Sequence, residues 1–268
     1  MTIARVTASL VFCLCLAACV SGQKPQRDTA LAAVPDAEVI AANFSDSNPH
    51  PQTAAAARHE VHGVDVARFQ TAVDWKTARA NGVNFAFIKA TEGGDLVDPM
   101  FKDHWRGAAQ AGVKRGAYLF YYHCRAPDEQ ARWFFRHVPK VAGSLPPVLD
   151  MEWTPTSPTC TIRREPSVIR RDAAVIIAMM TKHYGTAPLL YTTVDFYEDN
   201  ALWMLSGVEF WLRSVAAHPS ERYSAQPWTF WQYTSTGVVP GLEGKSDINV
   251  FAGGRADWAD WLVRRSVQ

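Results

Sequence analysis

Two acidic side chains separated by one residue are the part of this sequence best suited to chemistry. Asp150 and Glu152 end an apolar run over residues 145–152, which is typical of a buried strand. Alternation along a strand points both side chains to the same face, with their Cα atoms roughly 6.6 Å apart. Cleavage of a glycosidic bond needs one carboxyl that keeps its proton and a second that stays ionised. Taken alone, the two acids fit equally well as solvated groups at a strand end.

Further acids and aromatic rings lie near the ends of other apolar runs. Asp65, Glu92 and Asp247 each stand at or near the end of a predicted strand. In a parallel barrel, residues at the carboxyl ends of the strands converge on one mouth. Aromatic rings there can stack on sugars, although each ring singly is more often a core residue. The candidate rings are Tyr118, Tyr122, Tyr191, Trp211, Trp231 and Tyr233.

The elements that must position these side chains begin at residue 61, where short apolar runs start to alternate with amphipathic stretches. This pattern predicts an α/β fold, a single (β/α) barrel of about eight strands. Strands are predicted over residues 61–66, 84–90, 114–121, 147–152, 188–192, 209–212 and 229–233. Helices are predicted over residues 74–81, 99–111, 127–137 and 166–184, with Gly112 and Gly185 closing the second and the last.

Composition limits the possible partners of the protein. The chain has 268 residues, of which 48% are hydrophobic, so it can bury a core of one domain or two small ones. A formal net charge of +1 without a basic stripe argues against a nucleic-acid partner. His62 and His123 match no metal-ligand spacing, so we expect no metal and no cofactor. We expect a monomer.

Seven short motifs occur in an order that resembles the glycoside hydrolases of family 25. They are HGVDV (62–66), KATEG (89–93), GAY (116–118), DME (150–152), LY (190–191), WQY (231–233) and DIN (247–249). The similarity extends over about residues 61–261. Members of that family are lysozymes that cut peptidoglycan between N-acetylmuramic acid and N-acetylglucosamine, and they fold as irregular (β/α) barrels. The resemblance therefore implies a muramidase acting on the β-1,4 bonds of peptidoglycan glycan strands.

The resemblance also implies roles for individual residues. Glu152 would be the general acid and Asp150 its partner, with Asp65 and Asp247 completing an acidic cluster. The acetamido group of the substrate would assist as nucleophile, with Asp150 orienting it. The family implies sugar contacts for Tyr118, Tyr191 and Gln232. Together with the other strand-end candidates, the expected substrate-binding residues are Glu92, Tyr118, Tyr122, Tyr191, Trp211 and Gln232.

Two positions depart from the family pattern. Leu119 stands where many relatives have a histidine, and Arg213 stands where a small residue is common. These residues change the polarity expected of the sugar subsites, while the carboxylates are intact.

Two other functions fit parts of the sequence. A chitinase-like hydrolase also uses an Asp-x-Glu ending on a barrel strand, and it would turn over chitin oligomers without acting on peptidoglycan. A catalytically silent, wall-binding lipoprotein would use the barrel mouth as a glycan clamp. The joint presence of Asp65, Asp150 and Glu152 argues against a catalytically silent protein. Crowded acids are energetically costly, and a site that only binds a glycan does not need them.

The amino-terminal region predicts export and lipidation. Within residues 1–18, Arg5 precedes an apolar run over residues 10–16 that is too short to span a bilayer as a mature helix. The sequence LAAC (16–19) resembles the lipobox of bacterial lipoproteins, which predicts lipidation of Cys19. An ordinary cleavage site beside an incidental cysteine is the alternative. Val20 after Cys19 indicates the outer membrane, so we expect a protein of the cell envelope, anchored at the periplasmic face.

The mature protein would then have a tether, a barrel and two remaining cysteines. Residues 19–60 are rich in Ala, Ser, Asn and Pro, which predicts a flexible tether carrying the lipidated cysteine. Residues 61–268 form the predicted barrel domain. Cys124 and Cys160 make an even pair in an oxidising compartment, which favours a disulfide over two buried thiols.

Overall fold

The structure, a computed structural model, describes residues 1–2, 38–224 and 226–268. The predicted cleavage site and lipidation site at Cys19 lie outside the described residues, as does the tether up to residue 37. Within the described ranges, no helix combines the length and the apolar character needed to cross a membrane.

Eight strands close into a barrel at the centre of the fold. The described strands are β1 (Ser45–Asp46), β2 (His62–Val66), β3 (Phe85–Glu92), β4 (Leu96–Val97), β5 (Lys114–Phe120), β6 (Val148–Met151), β7 (Leu189–Thr192), β8 (Glu209–Arg213), β9 (Phe230–Val238) and β10 (Ser246–Phe251). The barrel order is β2, β3, β5, β6, β7, β8, β9 and β10, which returns to β2. β1 adds to the edge of β9, and β4 pairs with β3. The predicted barrel of about eight strands is confirmed.

The last barrel strand runs against the others. Each neighbouring pair from β2 round to β9 is parallel, whereas β10 is antiparallel to both β9 and β2. The amino end of β10 therefore lies beside the carboxyl ends of the other strands. Asp247, the second residue of β10, is placed at the mouth by this reversal.

Helices surround the barrel, and two of them have the predicted bounds. The described helices are α1 (Thr53–Ala56), α2 (Trp75–Ala80), α3 (Phe101–Gln110), α4 (Pro127–His137), α5 (Pro166–Tyr184), α6 (Val194–Asp199), α7 (Pro219–Arg222) and α8 (Arg255–Arg265), with a 3-10 turn at Leu202–Met204. α4 and α5 both begin at a proline, whose fixed φ suits the first helical position. Gly185 ends α5 at a φ of 77°, a left-handed conformation that glycine adopts without strain.

Two apolar clusters hold the barrel together. One fills the barrel interior and includes Phe85, Phe87, Val148, Leu189, Trp211 and Phe230. The other lies between the strands and the helices and includes Leu119, Leu149, Ile176, Leu190 and Leu212. Trp258 of α8 packs 5.6 Å from the ring of Phe85 and 5.1 Å from the ring of Phe251. α8 thus covers the end of the barrel where the parallel strands begin, so the mouth is at the opposite end.

Residues 38–60 pack against the barrel, in contrast to the predicted flexible tether over this stretch. The side chain of Asn84 accepts from Ile40 N at 2.8 Å and donates to Ile40 O at 2.9 Å. The imidazole of His50 lies 2.7 Å from the carbonyl oxygen of Tyr233, and Val39 is buried. Residues 38–60 are therefore not the flexible tether that the sequence predicts. Contacts with residues far away in the chain, such as the Asn84 side chain that binds the backbone of Ile40, hold this stretch against the barrel.

Candidate catalytic site

A cavity of about 510 Å³ opens at the mouth of the barrel and contains the predicted acids. It is lined by carboxyl groups from the ends of β2, β6 and β10, namely Asp65, Asp150, Glu152 and Asp247. Four of the predicted sugar contacts also line it, and these are Tyr118, Tyr191, Trp211 and Gln232. The barrel therefore brings together residues that are up to 182 positions apart in the chain, counted from Asp65 to Asp247.

The two strand-end acids, Asp150 buried and Glu152 partly buried, carry raised pKa values. Burial, followed by the charge of Glu152, raises the pKa of Asp150 well above its usual range. Burial also raises the pKa of Glu152 to about 7, although the charges of Arg213 and Lys89 oppose this. Oδ1 of Asp150 is buried and has no hydrogen-bond partner among the described residues. The pair therefore retains a proton near neutral pH.

The segment that follows Glu152 is fixed by its neighbours. The imidazole of His123 lies 3.0 Å from the carbonyl oxygen of Glu152, and burial lowers the pKa of His123. A neutral ring that donates from Nε2 fits this contact, because a carbonyl only accepts. Cys124, the next residue, forms a disulfide with Cys160, with 5.7 Å between the two Cα atoms. The loop after β6 is thus joined to the loop after β5.

Asp65 is held by a chain of hydrogen bonds across the mouth. Its Oδ2 accepts from Gln232 Nε2 at 2.8 Å and from Asn249 Nδ2 at 2.7 Å. Tyr191 OH donates to Gln232 Oε1 at 3.0 Å, and Trp211 Nε1 donates to Asn249 Oδ1 at 2.7 Å. An indole N–H can only donate, so it fixes which end of the Asn249 amide faces Asp65. The carboxylate of Asp65 is therefore held in one orientation.

Burial raises the pKa values of both the acids and the phenols of the mouth. It raises the pKa of Asp65, although hydrogen bonds from Asn249 and Gln232 oppose the shift. Burial raises the pKa of Tyr118 and of Tyr191 well above the usual range, so both hydroxyls keep their protons. The hydroxyl of Tyr118 can therefore donate a hydrogen bond to a sugar oxygen, while that of Tyr191 donates to Gln232.

Two of the predicted sugar contacts lie elsewhere. Glu92 is buried, and its carboxylate accepts from Lys89 Nζ at 2.6 Å and from the hydroxyl of Tyr122. Neither Glu92 nor Tyr122 lines the cavity. The prediction that they contact the sugar does not match this arrangement, because the carboxylate is already used by Lys89 and Tyr122.

Trp211 has only a limited surface for ligand contact. Its side chain is 2% exposed and packs against the rings of Phe87 and Tyr191. Its N–H is bonded to Asn249. Trp211 therefore forms the floor of the cavity and orients the amide that holds Asp65.

Three charged or polar residues that shape the mouth, Lys89, Asn249 and Arg213, are among those that were not predicted as site residues. Lys89 lines the cavity and is paired with Glu92, and Asn249 binds Asp65. Lys89 belongs to the motif KATEG and Asn249 to the motif DIN. Their place in these motifs could have marked them as site residues. Arg213 also lines the cavity, and the sequence marked it only as a departure from the family pattern. Within the described ranges, no group of three or more His, Cys, Asp or Glu side chains could hold a metal ion.

Comparison with known proteins decides the family. The model of glycosyl hydrolases family 25 matches residues 64–242. The chain belongs to family 25. It is 34% identical over 205 residues to the "Uncharacterized protein YegX" of Escherichia coli O157:H7, covering 74% of this chain and 71% of that protein. It is 31% identical over 207 residues to "Lysozyme M1" of Streptomyces globisporus, covering 73% and 69%.

Solved structures show the same fold. A family 25 glycosyl hydrolase from Bacillus anthracis superposes with a TM-score of 0.72 at 34% identity, covering 81% of this chain and 98% of that one. A bacterial lysozyme from Streptomyces coelicolor superposes with a TM-score of 0.68 at 29% identity, covering 76% and 97%. This chain is accordingly a glycoside hydrolase with a family 25 barrel.

The two departures from the family 25 pattern have different consequences. Leu119 is fully buried in the cluster between the barrel and the helices, so it faces away from the cavity. Arg213 lines the cavity and adds a positive charge to it. Only Arg213 therefore alters the surface that a sugar meets.

Proposed function

We propose that this protein is an N-acetylmuramidase, a lysozyme that hydrolyses the β-1,4 bond between N-acetylmuramic acid and N-acetylglucosamine in peptidoglycan. Family membership and the similarity to proteins named as lysozymes support this function. The observation that carries it is the pairing of Asp150 with Glu152 at the barrel mouth, where burial raises the pKa of Glu152 to about 7. A carboxyl with that pKa is suited to general acid catalysis near neutral pH.

In the proposed reaction, Glu152 donates its proton to the glycosidic oxygen. The bond between that oxygen and the anomeric carbon of N-acetylmuramic acid breaks, and N-acetylglucosamine leaves with a new 4-hydroxyl group. Positive charge develops at the anomeric carbon and the ring oxygen. Ionised carboxyl groups at the mouth stabilise that charge.

Asp150 positions the nucleophile in this proposal. Asp150 lines the cavity, and in this proposal its ionised carboxylate accepts the N–H of the 2-acetamido group. That donor favours the ionised form of Asp150. The acetamido oxygen then bonds to the anomeric carbon and forms a cyclic oxazolinium ion. A water molecule gives one proton to Glu152 and adds to the anomeric carbon, which opens the ring and restores the enzyme.

Asp65 and Asp247 support this chemistry from β2 and β10. Asp65 is fixed by Gln232 and Asn249, and Gln232 in turn accepts from Tyr191. We propose that Asp65 acts as a positioning residue, which holds the side chains of Gln232 and Tyr191 against the sugar.

Mass spectrometry of the products tests the proposed function. Purified protein is incubated with peptidoglycan, and the released fragments are reduced with borohydride before analysis. A muramidase leaves reducing ends on N-acetylmuramic acid, so muramitol is expected. Reducing ends on N-acetylglucosamine would refute the bond assignment. Turnover of chitin oligomers without release of muropeptides would favour the chitinase-like alternative, and binding without cleavage would favour a glycan clamp.

We further propose that the protein is a monomer anchored to the outer membrane through lipidated Cys19 and exposed to the periplasm. The LAAC sequence at residues 16–19 and Val20 support this location. Mass spectrometry of the mature amino terminus is the test, with a Cys19→Ala variant as control. A diacylglyceryl Cys19 is expected. A terminus without lipid, or one that begins at another residue, would rule the anchor out.

A further inference from the structure

Arg213 is placed inside the barrel mouth by the alternation of β8. Leu212 faces the helices and Trp211 faces the barrel interior, so Arg213 is the next residue to face inward. It is the last residue of β8, above Trp211 and opposite Gln232 in the parallel register with β9. It lines the same cavity as the proposed catalytic acids.

Among residues 38–224 and 226–268, no carboxylate lies within 4 Å of the guanidinium of Arg213, although its charge opposes the raised pKa values of Glu152, Asp65 and Asp247. It takes part in no ion pair, and its described hydrogen bond is made by its backbone carbonyl, which accepts from Tyr223. Lys89, by contrast, is bonded to Glu92 at 2.6 Å. A guanidinium offers five N–H donors in a planar fork that matches a carboxylate. The cavity therefore presents an unused anion-binding group beside the acids.

The substrate of a muramidase carries a suitable anion. N-acetylmuramic acid differs from N-acetylglucosamine by a lactyl ether at C3, which ends in a carboxyl group. That carboxyl is a neutral amide wherever a stem peptide is attached, and it is a carboxylate where the peptide has been removed. A carboxylate can accept two parallel charge-assisted hydrogen bonds from an arginine, which a neutral amide cannot match.

We propose that Arg213 binds the free lactyl carboxylate of N-acetylmuramic acid, so that the enzyme prefers glycan strands without stem peptides. This inference rests on the proposed muramidase function. It makes Arg213 a specificity-determining residue.

The acids of the mouth do not prevent an anion from binding. Burial, and then the charge of Asp65, raises the pKa of Asp247 to about 8. Burial likewise raises the pKa of Glu152 to about 7 and that of Asp150 well above its usual range. Several of these groups are therefore protonated near neutral pH, and the repulsion that four carboxylates would exert on the substrate is reduced.

The preference would also place the enzyme in a reaction sequence. A lactyl carboxylate becomes free only when the amide bond between the lactyl group and the first amino acid of the stem peptide is hydrolysed. An amidase reaction must therefore supply the preferred substrate.

Kinetics on two matched glycans test the proposal. One is a peptide-free glycan strand with lactyl carboxylates, and the other is the same strand with those groups converted to neutral methylamides. For the wild-type protein we expect KM to be about 10- to 100-fold lower on the carboxylate strand, the usual effect of a hydrogen bond to a charged group. The kcat values should differ much less, because the lactyl group does not react.

Variants assign that preference to one side chain. Arg213→Gln should give nearly equal KM values on the two glycans, and Arg213→Lys should keep part of the preference. Arg68→Gln is the matched control, since it removes the same charge from an arginine whose side chain is 47% exposed outside the cavity lining. The Arg68→Gln protein should show the same difference in KM between the two glycans as the wild type. Calorimetric titration of both glycans into Glu152→Gln and Glu152→Gln/Arg213→Gln proteins gives the same comparison without turnover.

The outcomes separate the two proposals. Equal KM values for the wild type on both glycans, or an undiminished preference in Arg213→Gln, would overturn the role of Arg213 while leaving the muramidase function intact. Failure of the wild type to cleave either glycan would overturn both. If Arg213→Gln does not fold, as judged by circular dichroism, Arg213→Lys on the two glycans decides the matter. A reduced KM preference in Arg213→Lys supports the proposal, and an undiminished preference contradicts it.

Discussion

Asp65 and Asp247 lie directly opposite each other on antiparallel strands of the barrel. Two like charges in that position destabilise a sheet, and burial increases the cost. Amide donors from Gln232 and Asn249 hold the carboxylate of Asp65. Burial and the charge of Asp65 raise the pKa of Asp247 to about 8. The pair therefore carries less than two charges at neutral pH, which makes this arrangement possible at the mouth.

This raised pKa predicts a stability that depends on pH. Folded Asp247 keeps its proton up to about pH 8, whereas the pKa of an unfolded aspartic acid is 3.8. The folded state then binds more protons in this window, so the free energy of unfolding falls as pH rises from about 4 to about 8. Urea unfolding of wild type and Asp247→Asn across this range is the measurement. The variant should lose less stability, and identical slopes for both proteins would contradict the assignment.

The activity profile should report the pKa of Glu152. Because the protonated form is the acid, kcat/KM should decrease above about pH 7, and the charge of Arg213 holds this pKa down. Arg213→Gln should therefore move the alkaline limb to higher pH. The neutral methylamide glycan is the substrate for this comparison, since it separates the electrostatic effect from carboxylate binding. A limb that stays in place or moves to lower pH would show that Arg213 does not act on Glu152.

Glu92 should contribute to stability more than to sugar binding. Its carboxylate and the ammonium of Lys89 are each 10% exposed, so Glu92→Gln leaves a buried cation without its partner. We expect a loss of about 3 kcal/mol in the free energy of unfolding. The double variant Lys89→Met/Glu92→Gln should recover most of this loss in urea unfolding. A raised KM with unchanged stability in Glu92→Gln would instead support the sugar contact predicted from the sequence.

Local patterns explain which parts of the structure could be predicted. The proline at the start of α5 and Gly185 at its end mark its bounds within the sequence itself. The alternation of β6 likewise places Asp150 at the mouth without knowledge of other strands. The pairing of Glu92 with Tyr122 depends on residues 30 positions apart, and no local pattern contains it. The same is true of the Asn84 side chain that binds Ile40.

The direction of β10 could not be predicted from the sequence. The predicted strand before it ends at residue 233, so 13 residues precede Asp247, which is enough for a parallel crossover. In the structure β9 extends to Val238, and only residues 239–245 join it to β10, with no helix between them. That connection is shorter than the dozen or so residues of a crossover, so β10 runs antiparallel to β9.

The disulfide should stabilise the mouth loops without taking part in the reaction. Cys124 and Cys160 are separated by 36 positions. Closing a loop of that size should contribute about 3 to 4 kcal/mol by restricting the unfolded chain. Cys124→Ser/Cys160→Ser should therefore unfold at lower urea concentration while kcat at moderate temperature changes much less. Free, alkylatable thiols in protein isolated from the envelope would show that the bond is not formed there.

The rate of muropeptide release by Glu152→Gln protein tests the proposed catalysis most directly. The substitution keeps the shape of the side chain and removes its proton donor, and general acid catalysis contributes about 100- to 10,000-fold. Wild-type and variant proteins with matching circular dichroism spectra are incubated with the same peptidoglycan, and muramitol ends are counted after borohydride reduction. We predict a decrease of at least about 100-fold for the variant. Near-normal release of muramitol-ended fragments by folded Glu152→Gln protein would contradict the assignment of Glu152 as the acid.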